Sequence, residues 1–319
     1  MNRFLLSAAA ALMVLTATGC NCTSCQNPDV VRETYTHKYG VTVSKNDWNS
    51  RGANGKVTTT YRDGITICRT FEKGQLHGLT TYTYPHSSVV QKTENYSNGN
   101  LVSKINHFPS GLHRKETAFI EPNHIKKTYW YEDGTPQRQE EVIDSKIVLG
   151  EYFTPAHELE SRIQDGEGTR ALRDPFGHLL SHDKIANGAL LEQTTYFPEG
   201  DIESMTTFKD GLPEGERKTF APGGEPKTVE QWWNGQQHGT TIVFQNGIKR
   251  SESNYLHGKK QGIEKLFDDL GQVAQEVTWV DGHRHGPTRL YVDGTVKTDW
   301  YYRDNMVSKL QYENPHHVR

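Results

Sequence analysis

After residue 55 the apolar positions of this chain fall in short runs broken by glycine, and none recurs at helical spacing. About seven residues separate one turn from the next, enough for a single strand. These stretches are rich in Thr, Val, Tyr, Trp and Lys, as in Gly239-Thr240-Thr241-Ile242-Val243-Phe244. Such residues suit a pleated, half-buried surface, and glycine at this density interrupts a helix. The pattern predicts strand after strand, with no helix beyond the first twenty residues.

The punctuation is periodic. An aromatic residue is followed three positions later by glycine in 13 places, among them Tyr61/Gly64, Phe71/Gly74, Trp232/Gly235 and Tyr291/Gly294. With 32 aromatics and 29 glycines in 319 residues, chance supplies about 3 such pairs. From Phe197 onward the aromatics advance by 11 or 12 residues, and Tyr302 closes the series beside Asn305. Ile163 and Ile185 hold the same places in the middle of the chain. Alternate turns carry a second glycine four residues on, as in Gly74/Gly78, Gly235/Gly239 and Gly282/Gly286. The unit is therefore 23 to 24 residues, with two strands and two unlike turns. Asn-Gly and Asp-Gly pairs such as Asn98-Gly99, Asn234-Gly235 and Asp281-Gly282 supply the positive φ that a tight hairpin needs. Repeated at the same point of successive strands, the aromatics are expected to stack as one ladder along one face.

The strings Phe71-Glu72-Lys73-Gly74-Gln75-Leu76-His77-Gly78, Trp232-Trp233-Asn234-Gly235-Gln236-Gln237-His238-Gly239 and Trp279-Val280-Asp281-Gly282-His283-Arg284-His285-Gly286 share one form: aromatic-x-x-Gly-x-x-His-Gly. In this the chain resembles the bacterial variant of the MORN repeat over roughly residues 56–312, most clearly from 197 on. The resemblance implies an all-β fold, an elongated single-layer antiparallel sheet of stacked β-hairpins. It also implies a role in protein association or membrane-adjacent scaffolding, and some bacterial members are antitoxin-like. About 22 strands would extend such a sheet to on the order of 100 Å.

The N-terminus adds a destination. Arg3 precedes an apolar run from Phe4 to Leu15, too short for a permanent membrane helix and followed by polar sequence. Ala17-Thr18-Gly19-Cys20 resembles a bacterial lipobox, although Ala17 stands where Leu is preferred. The expected organisation is a signal peptide at 1–19, a lipidated linker and irregular segment at 20–55, the repeat array at 56–312 and a tail at 313–319. Cys20 is the candidate lipidation site, and two acyl chains on its diacylglyceryl group would hold the protein at a membrane. Asn21 after the cysteine favours the outer over the inner membrane; simple cleavage after Gly19, giving a periplasmic or secreted protein, is the alternative. Composition agrees with a thin sheet: only 34% of residues are hydrophobic and the mean hydropathy is −0.77. A net charge of −3 gives no reason to expect a nucleic-acid partner.

Candidate chemistry is sparse. Cys22-Thr23-Ser24-Cys25 has the form of a redox pair but no strand–helix context, so a local disulfide or no role is expected. His77, His238 and His285 recur just before the second glycine, on separate hairpins where they cannot converge on one ion, and are expected to bond backbone at the turns. His316-His317 has no partner spacing. Gly166-Glu167-Gly168 is too short to cradle a phosphate. No nucleotide, metal or nucleophile motif occurs, and no cofactor, metal or catalytic residue is expected. Adjacent residues on a strand point to opposite faces, so where Trp232 joins the ladder Trp233 is left on the other side. Trp130 beside Tyr131 and Tyr301 beside Tyr302 pose the same alternative. Trp233, Trp130 and Tyr301 are accordingly the candidate binding residues. The expected function is a non-enzymatic envelope lipoprotein whose extended β surface binds another protein or a cell-envelope polymer. A glycan-active enzyme with an aromatic groove and an antitoxin-like inhibitor are the alternatives.

Overall fold

A computed structural model of the chain describes residues 29–314. The signal segment, Cys20, Cys22, Cys25 and the His316-His317 pair lie outside the described residues. From 29 onward the chain forms one antiparallel sheet of 26 strands that does not close into a barrel. Pairing follows chain order almost throughout: Pro226–Trp233, for example, lies between Leu212–Phe220 and Gln236–Gln245. Each hairpin thus meets mainly its neighbours, the arrangement the repeat predicts.

The two unlike turns occupy opposite margins of the sheet. Along one margin the turns have two residues, in nearly every case both at positive φ, as at Asn98-Gly99 (49° and 82°) and Asn234-Gly235 (49° and 77°). This is the tight turn that matches strand twist, and Asn or Asp followed by Gly tolerates it. Along the other margin most turns are longer. At Phe197–Asp201 the first N–H donates to the fourth carbonyl on, at 2.8 Å, and the Gly200 N–H donates back to the Phe197 carbonyl at 2.9 Å. Because successive strands run in opposite directions, a residue three before each turn alternates between the margins. The aromatics therefore make two rows, one along each margin, and not the single ladder expected from spacing alone.

In the first row, the second glycine of each unit lies opposite the next unit's ring. Gly78 faces Tyr96, Gly215 faces Trp232, Gly239 faces Tyr255, Gly262 faces Trp279 and Gly286 faces Tyr301. A Cβ at Gly239 would come within 3.1 Å of the Gln231 side chain, and its φ of +105° disfavours any other residue. The last pairing corrects the end of the series. The final turn is Arg303-Asp304, with φ of 46° and 68°, and not Asn305. Tyr301 is therefore the ladder ring and Tyr302 its opposite-face neighbour.

Between about 137 and 190 the sheet curls most tightly. Tyr152, Ile163 and Ile185 are buried there, with Ile147, Leu172 and Leu190 packed around them. Three successive turns lock together at this point: Gly166 N–H donates to the Val148 carbonyl, Gly188 N–H to Gly166 and Ile147 N–H to Gly188. The Gln137 side chain reaches the Asp174 carbonyl at 2.9 Å, thirty-seven residues away in sequence.

A short helix lies near each end of the array. The sheet begins earlier than residue 56: Val30–His37 pairs with Gly55–Tyr61, and Thr42–Val43 lies along its outer edge. Residues 30–50 of the expected irregular linker are thus part of the fold. Helix Lys45–Ser50, capped by Ser44, buries Trp48 against Tyr35 (5.8 Å) and Phe71 (6.2 Å). At the far end helix Lys309–Glu313, capped by Ser308, sets Tyr312 on Trp300 and His285 (5.0 and 5.4 Å). Neither helix was expected, since each is little more than one turn held by its cap and one ring. Each packs its one ring on the sheet near an end of the array.

Candidate binding face

The two faces of the sheet differ. The face that carries Trp232 also carries a line of carboxylates, each almost or fully buried: Glu94, Glu140, Asp183, Glu230 and Glu264. Each accepts at least one hydrogen bond from a ring or a cation of its own or a neighbouring strand, although the buried Asp183 Oδ1 has no partner. Glu94 takes the Tyr82 and Tyr96 hydroxyls at 2.8 and 3.0 Å and the Lys92 ammonium at 2.9 Å. The Tyr152 hydroxyl donates to Glu140 at 3.1 Å, and Arg170 reaches Asp183 at 2.7 Å. Trp232 Nε1–H donates to Glu230 at 2.8 Å and Trp279 Nε1–H to Glu264 at 2.9 Å. Burial and the Glu94 hydrogen bond push the Tyr82 phenol up to about 12, so it remains a donor at neutral pH. Burial alone would raise the Glu94 carboxyl, but the bonds from Lys92, Tyr82 and Tyr96 outweigh it and hold it below its ordinary value. Sequence reasoning missed this line, because acidic residues also crowd the turns and only the register shows which ones face inward.

On the same face the strands Ala189–Tyr196, Ile202–Lys209, Leu212–Phe220 and Pro226–Trp233 enclose a groove of about 530 Å³. Phe208 and Trp232 stand at one margin and Phe197 and Phe220 at the other. Its floor is lined with hydroxyls: Thr195 Oγ1 meets Ser204 Oγ at 2.7 Å and Thr219 Oγ1 meets Thr228 Oγ1 at 2.7 Å. Arg217 lies 5.8 Å from the centre of the Trp232 ring and bonds Glu230 at 3.4 Å, so its charge is already matched. A smaller hollow of about 360 Å³ between residues 126 and 164 is lined mostly by charged and amide side chains, and one pair there, Arg162 with Glu151, is closed at 2.8 Å.

The three candidate binding residues stand apart from one another. Trp233 is 50% exposed on the opposite face, with its ring 5.5 Å from His238 and 5.7 Å from His257. Trp130 is half-buried at the other margin, edge-on to His113 at 5.3 Å. Tyr301 is half-buried in the ladder, with the Arg284 guanidinium 5.7 Å from its centre. They do not form one site, and Tyr301 shares the face of Trp232 and not that of Trp233.

The residue before the second glycine has a recurrent structural task. His77 Nδ1 accepts the Asn98 N–H at 3.3 Å, as the turn-bonding expectation requires. Glu167, Glu214 and Gln261 do the same for Asn187, Asn234 and Asp281, at 2.7, 2.7 and 2.9 Å. At His238 and His285 that expectation fails. His238 packs on Trp233 and His257, and His285 on Tyr302 and Tyr312, with no such backbone bond. Among the described residues no group of three or more His, Cys, Asp or Glu is placed to hold a metal ion, and no helix is long and apolar enough to cross a membrane. Cys68 is half-buried and forms no disulfide with another described residue.

The sequence matches no protein-family model and no curated protein. Among solved structures, one described as TcdB2-TccC3 matches at 9% identity and a TM-score of 0.19, over 76% of this chain and 20% of that one. BamB from Moraxella catarrhalis matches at 10% identity and a TM-score of 0.14, over 78% of this chain and 82% of that one. The chain spans about a fifth of the first of these, and likenesses this weak carry no argument about function.

Proposed function

We propose that this chain is a non-enzymatic envelope lipoprotein of MORN-like repeats, anchored through Cys20, that displays an extended β surface to a protein or an envelope polymer. The observation that carries this reading is the groove between residues 193 and 232, where rings stand at both margins of a hydroxyl-lined floor on a sheet whose carboxylates are already bonded within the protein. A ligand there meets preformed apolar and polar groups together, the usual character of a binding site. On the opposite face, Trp233 offers an exposed ring of the kind that anchors protein interfaces.

The anchor is tested by metabolic labelling with a fatty-acid analogue. The protein should take up label, and Cys20→Ser should abolish it; equal labelling of the variant refutes lipidation. The binding surface is tested by crosslinking in intact envelopes. Trp233→Ala should reduce recovery of the crosslinked partner while shifting stability by less than about 1 kcal/mol, the usual scale for a surface change. Trp232→Ala removes a ring bonded to Glu230 and should chiefly cost stability, by about 2 kcal/mol or more. Should Trp233→Ala prove the more destabilising of the two, its face is buried and Trp233 is no part of the display surface.

A further inference from the structure

The groove's chemistry narrows the ligand class, on the premise that the chain is the binding protein proposed above. We infer that the groove between Phe197 and Trp232 takes a neutral β-linked glycan strand. Phe208 and Trp232 stand on strands two apart, and Phe197, just past the end of Ala189–Tyr196, is likewise two strands from Phe220, which separates the rings of each row by about 9–10 Å along the sheet. One disaccharide of an extended β-linked chain has the same length, so successive rings meet equivalent faces of the polymer. A pyranose presents an apolar C–H face that stacks on an aromatic ring and a rim of hydroxyls that needs donors and acceptors. The floor supplies these in the Thr206 hydroxyl and in the Thr195–Ser204 pair, which keeps one proton and its spare lone pairs, while Thr219, whose proton goes to Thr228, can only accept.

Other occupants fit less well. An anionic headgroup needs uncompensated cations, but Arg217 is committed to Glu230, and the two charges at the rim, Glu203 and Lys227, are opposite in sign. An extended peptide is usually held through backbone hydrogen bonds at a sheet edge, whereas this floor is the face of four interior strands.

The test is titration of the full chain in detergent with β-linked N-acetylglucosamine oligomers and, separately, with β-linked glucose oligomers, read by calorimetry and by tryptophan fluorescence. Binding that tightens from dimer to hexamer supports the inference, and the better of the two series identifies amino-sugar or plain glucan strands as the source. Phe208→Ala should weaken it about tenfold, the scale of one lost ring contact. Thr206→Gln fills the floor without removing a ring and should weaken it comparably; thermal melts of both variants confirm that they fold. No binding of either series at millimolar concentration, or binding that both variants leave unchanged, overturns the inference. If oligomers fail to bind while the Trp233-dependent crosslinked partner persists, the glycan site is wrong and the proposed function stands. If neither is found, both fall.

Discussion

Replacing Tyr152 by alanine is expected to destabilise the middle of the sheet by about 3–5 kcal/mol, the usual cost of deleting a large buried aromatic. Tyr152 is fully buried, packs with Ile163 and Ile185, and donates its hydroxyl to Glu140 at 3.1 Å. The substitution therefore opens a cavity and also strips a donor from a carboxylate that is itself buried. Burial, reinforced by the Glu140 charge, holds the Tyr152 phenol far above its ordinary value, so the hydroxyl stays protonated and donating across the stable pH range. Tyr152→Phe keeps the ring and loses only the bond, and should cost about 1–3 kcal/mol. Both are measured from the midpoint of urea unfolding against an exposed control such as Leu180→Ala. Equal small effects for Tyr152→Ala and the control would show that the tight middle contributes no core.

The hairpins themselves were legible because their turns use residues that few other settings demand. Asn234-Gly235 and Asp281-Gly282 adopt the left-handed geometry that their composition implied, and the second glycine of each unit marks where the neighbouring ring crosses. Register at the end of the array was not legible, since Arg303-Asp304 makes the same turn without glycine and shifted the reading by one residue. That single step exchanged the faces of Tyr301 and Tyr302, as a one-residue slip must. Residues 30–50 were missed because Val30–His37 joins the sheet without an aromatic–glycine turn after it. Of the candidate site, the Trp233 face followed from alternation alone, whereas the groove depends on rings from four strands and the inward carboxylates on register. Both are properties of pairing, which no local window contains.

The second large effect follows from the period. Deleting Gly235–His257 removes one unit and joins Asn234 to Gly258, both members of equivalent two-residue turns. Trp232 would then face Lys260 in place of Gln237, since Tyr255 already pairs with Lys260 in the corresponding register. The shortened chain should therefore fold with every remaining strand in its proper direction. Deleting residues 236–247 instead removes one strand and reverses the sense of everything after it, so every later strand would present the wrong face and the wrong margin. Far-UV circular dichroism and urea unfolding of the two deletions decide the matter. A repeat array predicts a folded β protein with modestly reduced stability for the full-unit deletion and a collapse of the part after residue 247 for the half-unit deletion. Equal damage from both, or loss of β structure in the full-unit deletion, would contradict it.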